Sequence, residues 1–274
     1  MIRIVISDAD GTLVTNSKLI DARAFSRMLC SLGTHGIPMC IASGRTYPAL
    51  RRLFAPYEKQ LLYLALDGAC AMADDTLLCG FPLGLTAVTD SLRLLCDSRV
   101  RGVELCACKT SYLYARDPAL TVSEQKRLGE ELSVLWTPDL PQAKPLPEEP
   151  IYKIIVFTKA HTDPIDPPQT TRAVYQSDIV TELVRKDVNK RRAAELICQS
   201  LHISQDEILA YGDSENDREL LSWAGIPVTV YGAKHDLFSI TKYHTHNVAE
   251  SVLRFLREDD AARKRPQKGH GAHG

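Results

Sequence analysis

The chain has 274 residues, enough for one large domain or two modest ones. Hydrophobic residues make up 45% and charged residues 24%, a balance that can bury a core. Lys and Arg number 33 against 34 Asp and Glu, for a formal net charge of -1, which argues against a broad nucleic-acid surface. No apolar run approaches the roughly 20 residues that span a bilayer, and Met1–Ser7 is too short and too soon charged for a secretory signal. A cytoplasmic protein that binds neither nucleic acid nor membrane is expected. No heptad or apolar stripe assigns an oligomeric state. The eight cysteines form no CxxC pair and read as buried thiols. Cys106 and Cys108 would share one strand face, but no second ligand cluster lies near them in sequence.

From the N-terminus, strand and helix signals alternate. Ile2–Ser7 reads as a strand, followed by a loop from Asp8 to Lys18. Asp21–Leu32 has a helical apolar face, with Asp21 as N-cap and Gly33 as the residue past its end. Pro38–Ala42 is a second strand. Tyr47–Phe54 starts a helix capped by Thr46, with Pro48 in its first turn. Leu61–Leu66 is a third strand, ending at Asp67-Gly68, and a hairpin around Asp74-Asp75 follows. Beyond Pro82 the strict alternation stops. Thr86–Asp97 and Ser123–Leu135 read as helices, and Val103–Ala107 with Ser111–Tyr114 as a hairpin. Prolines from Pro138 to Pro150 exclude a helix or central strand there. Strands are expected at Ile151–Thr158, Thr171–Tyr175 and Ile179–Val184, and Tyr112, Tyr114 and Trp136 are read as core. Alternation resumes with a helix at Lys190–Leu201 capped by Asn189 and a strand at Ile208–Tyr211. A helix at Glu215–Trp223, a strand at Pro227–Tyr231 and a helix at Val248–Leu256 complete it.

The expected fold is therefore α/β: a Rossmann-like parallel-sheet core built from both chain ends, interrupted by an α+β insert. The boundaries read as 1–82 and 185–260 for the core, 83–184 for the inserted cap, and 261–274 for a disordered tail. Ligands of open α/β sheets sit beyond the carboxyl ends of the strands. Three polar clusters fall there: Asp8-Ala9-Asp10-Gly11-Thr12, Ser43-Gly44-Arg45 and Gly212-Asp213-Ser214-Glu215-Asn216-Asp217. Lys190 opens the helix that follows the insert. Clustered carboxylates suit a hard cation such as Mg²⁺. A lysine, a serine hydroxyl and helix-start amides suit a phosphate. A carboxylate can attack phosphorus, and a second can serve as acid and then base.

Taken together, Ser7-Asp8-Ala9-Asp10-Gly11-Thr12, Ile41-Ala42-Ser43-Gly44-Arg45, Val188-Asn189-Lys190 and Gly212-Asp213-Ser214-Glu215-Asn216-Asp217 resemble the four ordered motifs of the haloacid dehalogenase-like hydrolases. The insert between the second and third motifs, with the GDxxND form of the fourth, resembles the Cof-like branch, which includes sugar-phosphate phosphatases. The resemblance implies a Mg²⁺-dependent phosphatase acting on a small phosphorylated metabolite through an aspartyl phosphate. Asp8 would be nucleophile and metal ligand. Asp10 would be acid/base, with its carbonyl on the metal. Ser43, with Gly44 and Arg45, would bind the phosphoryl group, and Lys190 would neutralise charge. Asp213 and Asp217 would be metal ligands, Asp217 through water, and Asn216 would join the phosphate-binding set and orient the metal waters and Lys190.

Some positions depart from the family pattern. Ala9 stands where many relatives have a bulky apolar residue, Asp67-Gly68 where many have Asn-Gly, and Arg191 where Gly usually follows the lysine. Lys186 competes with Lys190 for the catalytic role; Lys190 is preferred because Asn189 caps its helix and Ala193 and Leu196 keep the family register. The cap is short, since His161–Thr170 holds three prolines and little helical pattern. Each piece has a plainer reading alone: Asp10-Gly11 as a turn, Ser43-Gly44 as a cap, Asn216 and Asp217 as residues complementing a helix dipole. His244 and His246 read as exposed side chains and Arg263–Arg265 as a solvated stretch. A phosphomutase or phosphotransferase, or a catalytically silent metabolite-binding module, are the alternative functions.

Overall fold

The computed structural model describes residues 1–15, 18–137 and 145–264. The first stretch of chain forms β1 (Ile4–Asp8), β2 (Val14–Thr15), β3 (Lys18–Leu19), α1 (Ala22–Thr34), β4 (Met39–Ala42), α2 (Tyr47–Leu53), β5 (Leu61–Ala65), β6 (Cys70–Ala73) and β7 (Thr76–Gly80). The middle forms α3 (Leu85–Arg93), β8 (Val100–Cys106), β9 (Ser111–Ala115), α4 (Pro118–Leu128), β10 (Leu132–Trp136), β11 (Lys153–Thr158), β12 (Thr171–Gln176) and β13 (Val180–Arg185). The remainder forms α5 (Lys190–Ser200), β14 (Ile208–Gly212), α6 (Arg218–Trp223), β15 (Ile226–Val230), β16 (Tyr243–Thr245) and α7 (Val248–Lys264). Two compact units divide the chain: Met1–Cys40 with the chain from His202 onward, and Ile41–Leu201. Strand β4 carries the chain from the first into the second.

In the first unit the strands run in the order β16-β15-β14-β1, all parallel. Strand β4 starts on the far side of β1, where the Val5 N–H donates to the Pro38 carbonyl at 3.1 Å. Both β1 and β14 are buried along their whole length, so their sequences read as unbroken runs rather than alternating ones. Helix α1 begins where expected, because Asp21 Oδ1 accepts from the Ala24 N–H at 2.8 Å. Its end differs from the expectation. Gly33 lies inside the helix, and Gly36 takes the left-handed position at φ +65°. Helix α7 also runs past Leu256 to Lys264, so residues 257–264 are helical. Phe255 and Leu256 are buried and Ile2 N–H donates to Asp259, which ties the extended helix down. Residues 265–274 lie outside the described residues.

The second unit holds the β5-β6-β7 meander and a six-stranded sheet of order β10-β9-β8-β11-β13-β12. The Asp74-Asp75 hairpin is present, with both residues at positive φ; Asp tolerates that conformation better than most residues. In the six-stranded sheet only β9 and β10 run parallel. One face carries Val103, Leu105, Ile154, Val156 and Leu183 against Ala87 and Val88 of α3. Tyr114 belongs to that core, and Tyr112 and Trp136 pack against it. The expected helix at Ser123–Leu135 is corrected: α4 stops at Leu128, Gly129 turns at φ +59°, and Leu132–Trp136 is strand β10. The period-two spacing of Leu132, Val134 and Trp136 suits the edge it occupies. No helix interrupts residues 159–170, as the prolines predicted. The proline stretch from Pro138 falls partly at 138–144, outside the described residues.

The opposite face of that sheet is unusually polar for its burial. Glu104 is fully buried and accepts from Arg127 Nη2 at 2.6 Å and from Cys106 Sγ at 3.5 Å. Burial pushes the Glu104 carboxyl up and the Cys106 thiol well up. The Cys108 thiol is hydrogen-bonded to Cys70, which lowers it. All eight cysteines are free thiols, but the expectation that they are buried holds for Cys40, Cys70, Cys106 and Cys198 only; Cys79 and Cys108 are half-buried, and Cys30 and Cys96 are exposed. Among the described residues no helix is long and apolar enough to cross a membrane.

Leu105, at 0% exposure in the centre of β8, tests the apolar face. Leu105→Ala is expected to cost about 3 kcal/mol through lost transfer energy and a residual cavity, measured by urea unfolding.

Candidate active site

In the first unit, the parallel register of β1 and β14 pairs Ser7 with Tyr211, so both strands end at one level. The loops that follow them, Asp8–Leu13 and Asp213–Asp217, therefore lie side by side. The first is a tight turn: Leu13 and Val14 N–H groups both donate to the Ala9 carbonyl, at 2.9 and 2.8 Å. Gly11 sits at φ +85°, and a Cβ there would fall 2.5 Å from Asp213 Oδ2; only glycine lets the loops approach so closely. Thr12 Oγ1 donates to Asp213 Oδ1 at 3.1 Å. Asp8 is 4% exposed and Asp217 0% exposed, whereas Asp10 is exposed.

Asp217 organises the second loop. Its Oδ2 accepts from the Asp213 and Ser214 N–H groups, both at 3.1 Å, and from Ser214 Oγ at 3.3 Å. Asn216 Oδ1 accepts from Ser214 Oγ at 2.6 Å. One carboxylate oxygen from each of Asp8, Asp213 and Asp217 lies within 4.8 Å of the others. Octahedral Mg²⁺ holds oxygens at about 2.1 Å, which places its ligands about 3 to 4 Å apart. The carboxylate set fits that cation. Asp10, expected as a ligand through its carbonyl, is anchored by a bridge to Val14. Thr12 and Ser214 are site residues that the sequence reading quoted without giving them a role. Their signal was their position inside the motifs.

In the second unit, the chain leaves β4 into Ser43-Gly44-Arg45, a turn laced to the end of β5. Ser43 N–H donates to Leu64 O, Asp67 N–H to Ser43 O, and Leu66 N–H to Arg45 O, at 2.9, 2.9 and 3.0 Å. Arg45 N–H donates to Ser43 Oγ at 3.2 Å. Ser43 is buried, and Gly44 and Arg45 are half-buried. Leu66, Asp67 and Gly68 are consecutive left-handed residues, at φ +53°, +59° and +87°. A Cβ on Gly68 would fall 2.5 Å from the Asn189 carbonyl oxygen, so this bend lies against the start of α5. There Asn189 Oδ1 caps the helix by accepting from Arg192 N–H at 2.8 Å. Lys190, its first residue, is 1% exposed, while Lys186 is exposed. Lys190 thus starts its helix against the Leu66–Gly68 bend.

Sequence reasoning missed Lys153. It is 1% exposed and donates to Asp67 Oδ2 at 2.8 Å and to the Gly44 carbonyl at 3.0 Å. It also pairs with Glu182. Desolvation lowers the Lys153 pKa, but the Asp67 and Glu182 carboxylates outweigh it and hold it above the ordinary lysine value. A lysine raised in this way lends stability that is fully present below its unfolded pKa and is lost as pH rises through the folded one. The Lys153 ammonium is therefore charged throughout the neutral range.

Against this geometry, the family model described as haloacid dehalogenase-like hydrolase matches residues 5–256. The chain belongs to the haloacid dehalogenase-like hydrolases. Within the family, it is 35% identical over 88 residues to a phosphoglycolate phosphatase of Methanothermobacter thermautotrophicus. That match covers 30% of this chain and 40% of the relative, so it spans under half of that relative's length. A solved structure from Eubacterium rectale superposes with TM-score 0.81 at 21% identity, covering 93% of this chain and 99% of that one. A solved subclass IIB sugar phosphatase of the superfamily superposes with TM-score 0.70 at 16% identity, covering 92% and 98%. These structural likenesses support the Rossmann-like core with an added cap.

Two measurements probe the site. Mg²⁺ at a hundredfold excess over its dissociation constant is expected to stabilise the protein by about 2.7 kcal/mol. Thermal unfolding should show that gain in the wild type and lose it in Asp213→Asn. Lys153→Met, which strands the buried Asp67 carboxylate, is expected to cost about 3–5 kcal/mol in urea unfolding. Adding Asp67→Asn should return part of it.

Proposed function

We propose that this haloacid dehalogenase-like hydrolase is a phosphatase that cleaves a small phosphate monoester, a sugar phosphate or similar metabolite, through a phosphoryl group carried on Asp8. The observation that carries the reading is the carboxylate set of buried Asp8 and Asp217 with half-buried Asp213, in the loop pair that also carries the exposed Asp10. Names of relatives, phosphoglycolate phosphatase and sugar phosphatase, support the substrate class. Residues 83–184 are proposed as the cap that chooses the leaving group, and the cytoplasm as the location.

The chemistry follows from the residues. An Asp8 carboxylate oxygen attacks phosphorus, and the bond from phosphorus to the ester oxygen breaks. Asp10, exposed two residues on, gives its proton to the departing oxygen. It then takes a proton from the water that attacks phospho-Asp8, releasing phosphate and restoring the carboxylate. Ser43 and the Gly44 and Arg45 turn bind the phosphoryl oxygens, and the Lys190 ammonium offsets the charge that builds there. A bound Mg²⁺, held by Asp8, Asp213, Asp217 and the Asp10 carbonyl, would supply positive charge to the phosphoryl oxygens. Asn216 orients the loop that carries those ligands.

The test is phosphate release from a panel of phosphorylated metabolites, with Mg²⁺ and with chelator. Release should require Mg²⁺ and fall at least about 10³-fold in Asp8→Asn. Isomerised sugar phosphate without free phosphate would instead identify a mutase. Release that survives Asp8→Asn would remove Asp8 as nucleophile.

A further inference from the structure

We propose that Lys153 is a positioning residue that sets the direction of the Ser43 hydroxyl, acting through the Gly44 carbonyl. The inference rests on the phosphatase reading, in which the Ser43 turn receives the phosphoryl group.

An ammonium has three N–H donors and no acceptor. All three of Lys153 have acceptors: the Gly44 carbonyl, Asp67 Oδ2 and the Glu182 carboxylate. With none to spare and 1% exposure, Lys153 is not a substrate contact; it acts through the turn. The peptide between Gly44 and Arg45 is planar and trans. Holding the Gly44 oxygen toward Lys153 therefore turns the Arg45 N–H the opposite way, where it meets Ser43 Oγ at 3.2 Å. A hydroxyl has one donor. With its oxygen accepting from Arg45, the Ser43 O–H is left to donate elsewhere, which is what a phosphoryl oxygen requires.

The same ammonium removes an electrostatic obstacle. A Cβ on Gly44 would lie 3.1 Å from both Asp67 oxygens, so the carboxylate lies flat against the turn. Unneutralised, it would repel a dianion. Lys153 reaches the turn from β11, on the face of the six-stranded sheet opposite the apolar cluster. On that face Glu182 sits across from Ile155, one diagonal step from Lys153. The inserted sheet thus acts on the phosphoryl-binding turn itself, whatever it does to the leaving group.

The experiment compares Asp67→Asn with Lys153→Met/Asp67→Asn. Neither strands the buried Asp67 carboxylate, and Glu182, which loses its ammonium in the double variant, is partly exposed; thermal unfolding confirms that both are folded. The probe is inorganic phosphate with Mg²⁺, titrated calorimetrically. Asp67→Asn keeps the hold on Gly44 and should bind phosphate within about twofold of wild type. The double variant should bind it about tenfold more weakly, and its KM should rise by one common factor for every monoester in the panel. Phosphate affinity equal in the two variants would overturn the inference. So would a KM rise confined to certain leaving groups. Wild type that hydrolyses monoesters alongside an unaffected double variant sinks this inference alone; wild type that neither hydrolyses monoesters nor binds phosphate sinks the phosphatase reading, and this inference with it.

Discussion

Three carboxylates brought within 4.8 Å of one another repel, and the first unit is arranged to hold them there regardless. The force that does so is backbone pairing. Strands β1 and β14 are buried and parallel, so neither can slide without breaking a ladder whose apolar side chains have no exposed alternative. Loop hydrogen bonds then fix two of the carboxylates in place: Thr12 on Asp213, and the Asp213 and Ser214 amides on Asp217. The glycine at 11 is the steric condition for that closeness. Such a cluster is preorganised for a cation, because its strain is already met by the fold before any ion arrives.

The second unit handles charge in the reverse manner. Lys153 is buried in a cage of acceptors rather than of cations. A buried ion pair contributes little net stability against an apolar alternative of the same size, yet removing one partner is costly. Its value here is directional: three fixed N–H bonds join strand β11, the bend at Asp67 and the turn at Gly44. Residues far apart in the chain become one rigid corner. Asp67 is one of the two negative partners that hold the buried lysine.

Much of this was legible in the sequence. Asp21, Thr46 and Asn189 announced their helices because a short polar side chain before an apolar period has one obvious use. Asp8, Ser43 and Asp213 stood out because each follows a run too apolar for anything but a buried strand. The misreadings have equally local causes. Ser123–Leu135 carries leucines at spacings that serve a helix or a strand, and only the backbone at Gly129 decides between them. Gly33 reads as the end of α1, yet Gly36, three residues on, supplies the turn. Lys153 gave no signal, because a lysine in a strand normally faces water, and its partners at 44, 67 and 182 become neighbours only after folding.

The division of the chain has a consequence for synthesis. Ile41–Leu201 is continuous and can complete its own pairings as it leaves the ribosome. Met1–Cys40 is made first, yet Ile4 pairs with Ile208, near the other end. One edge of β1 must therefore wait unpaired while the whole second unit is translated, a long-range closure of the kind that slows folding. The nascent protein thus carries its Ser43 turn well before the carboxylates of Asp8 and Asp213 are brought together.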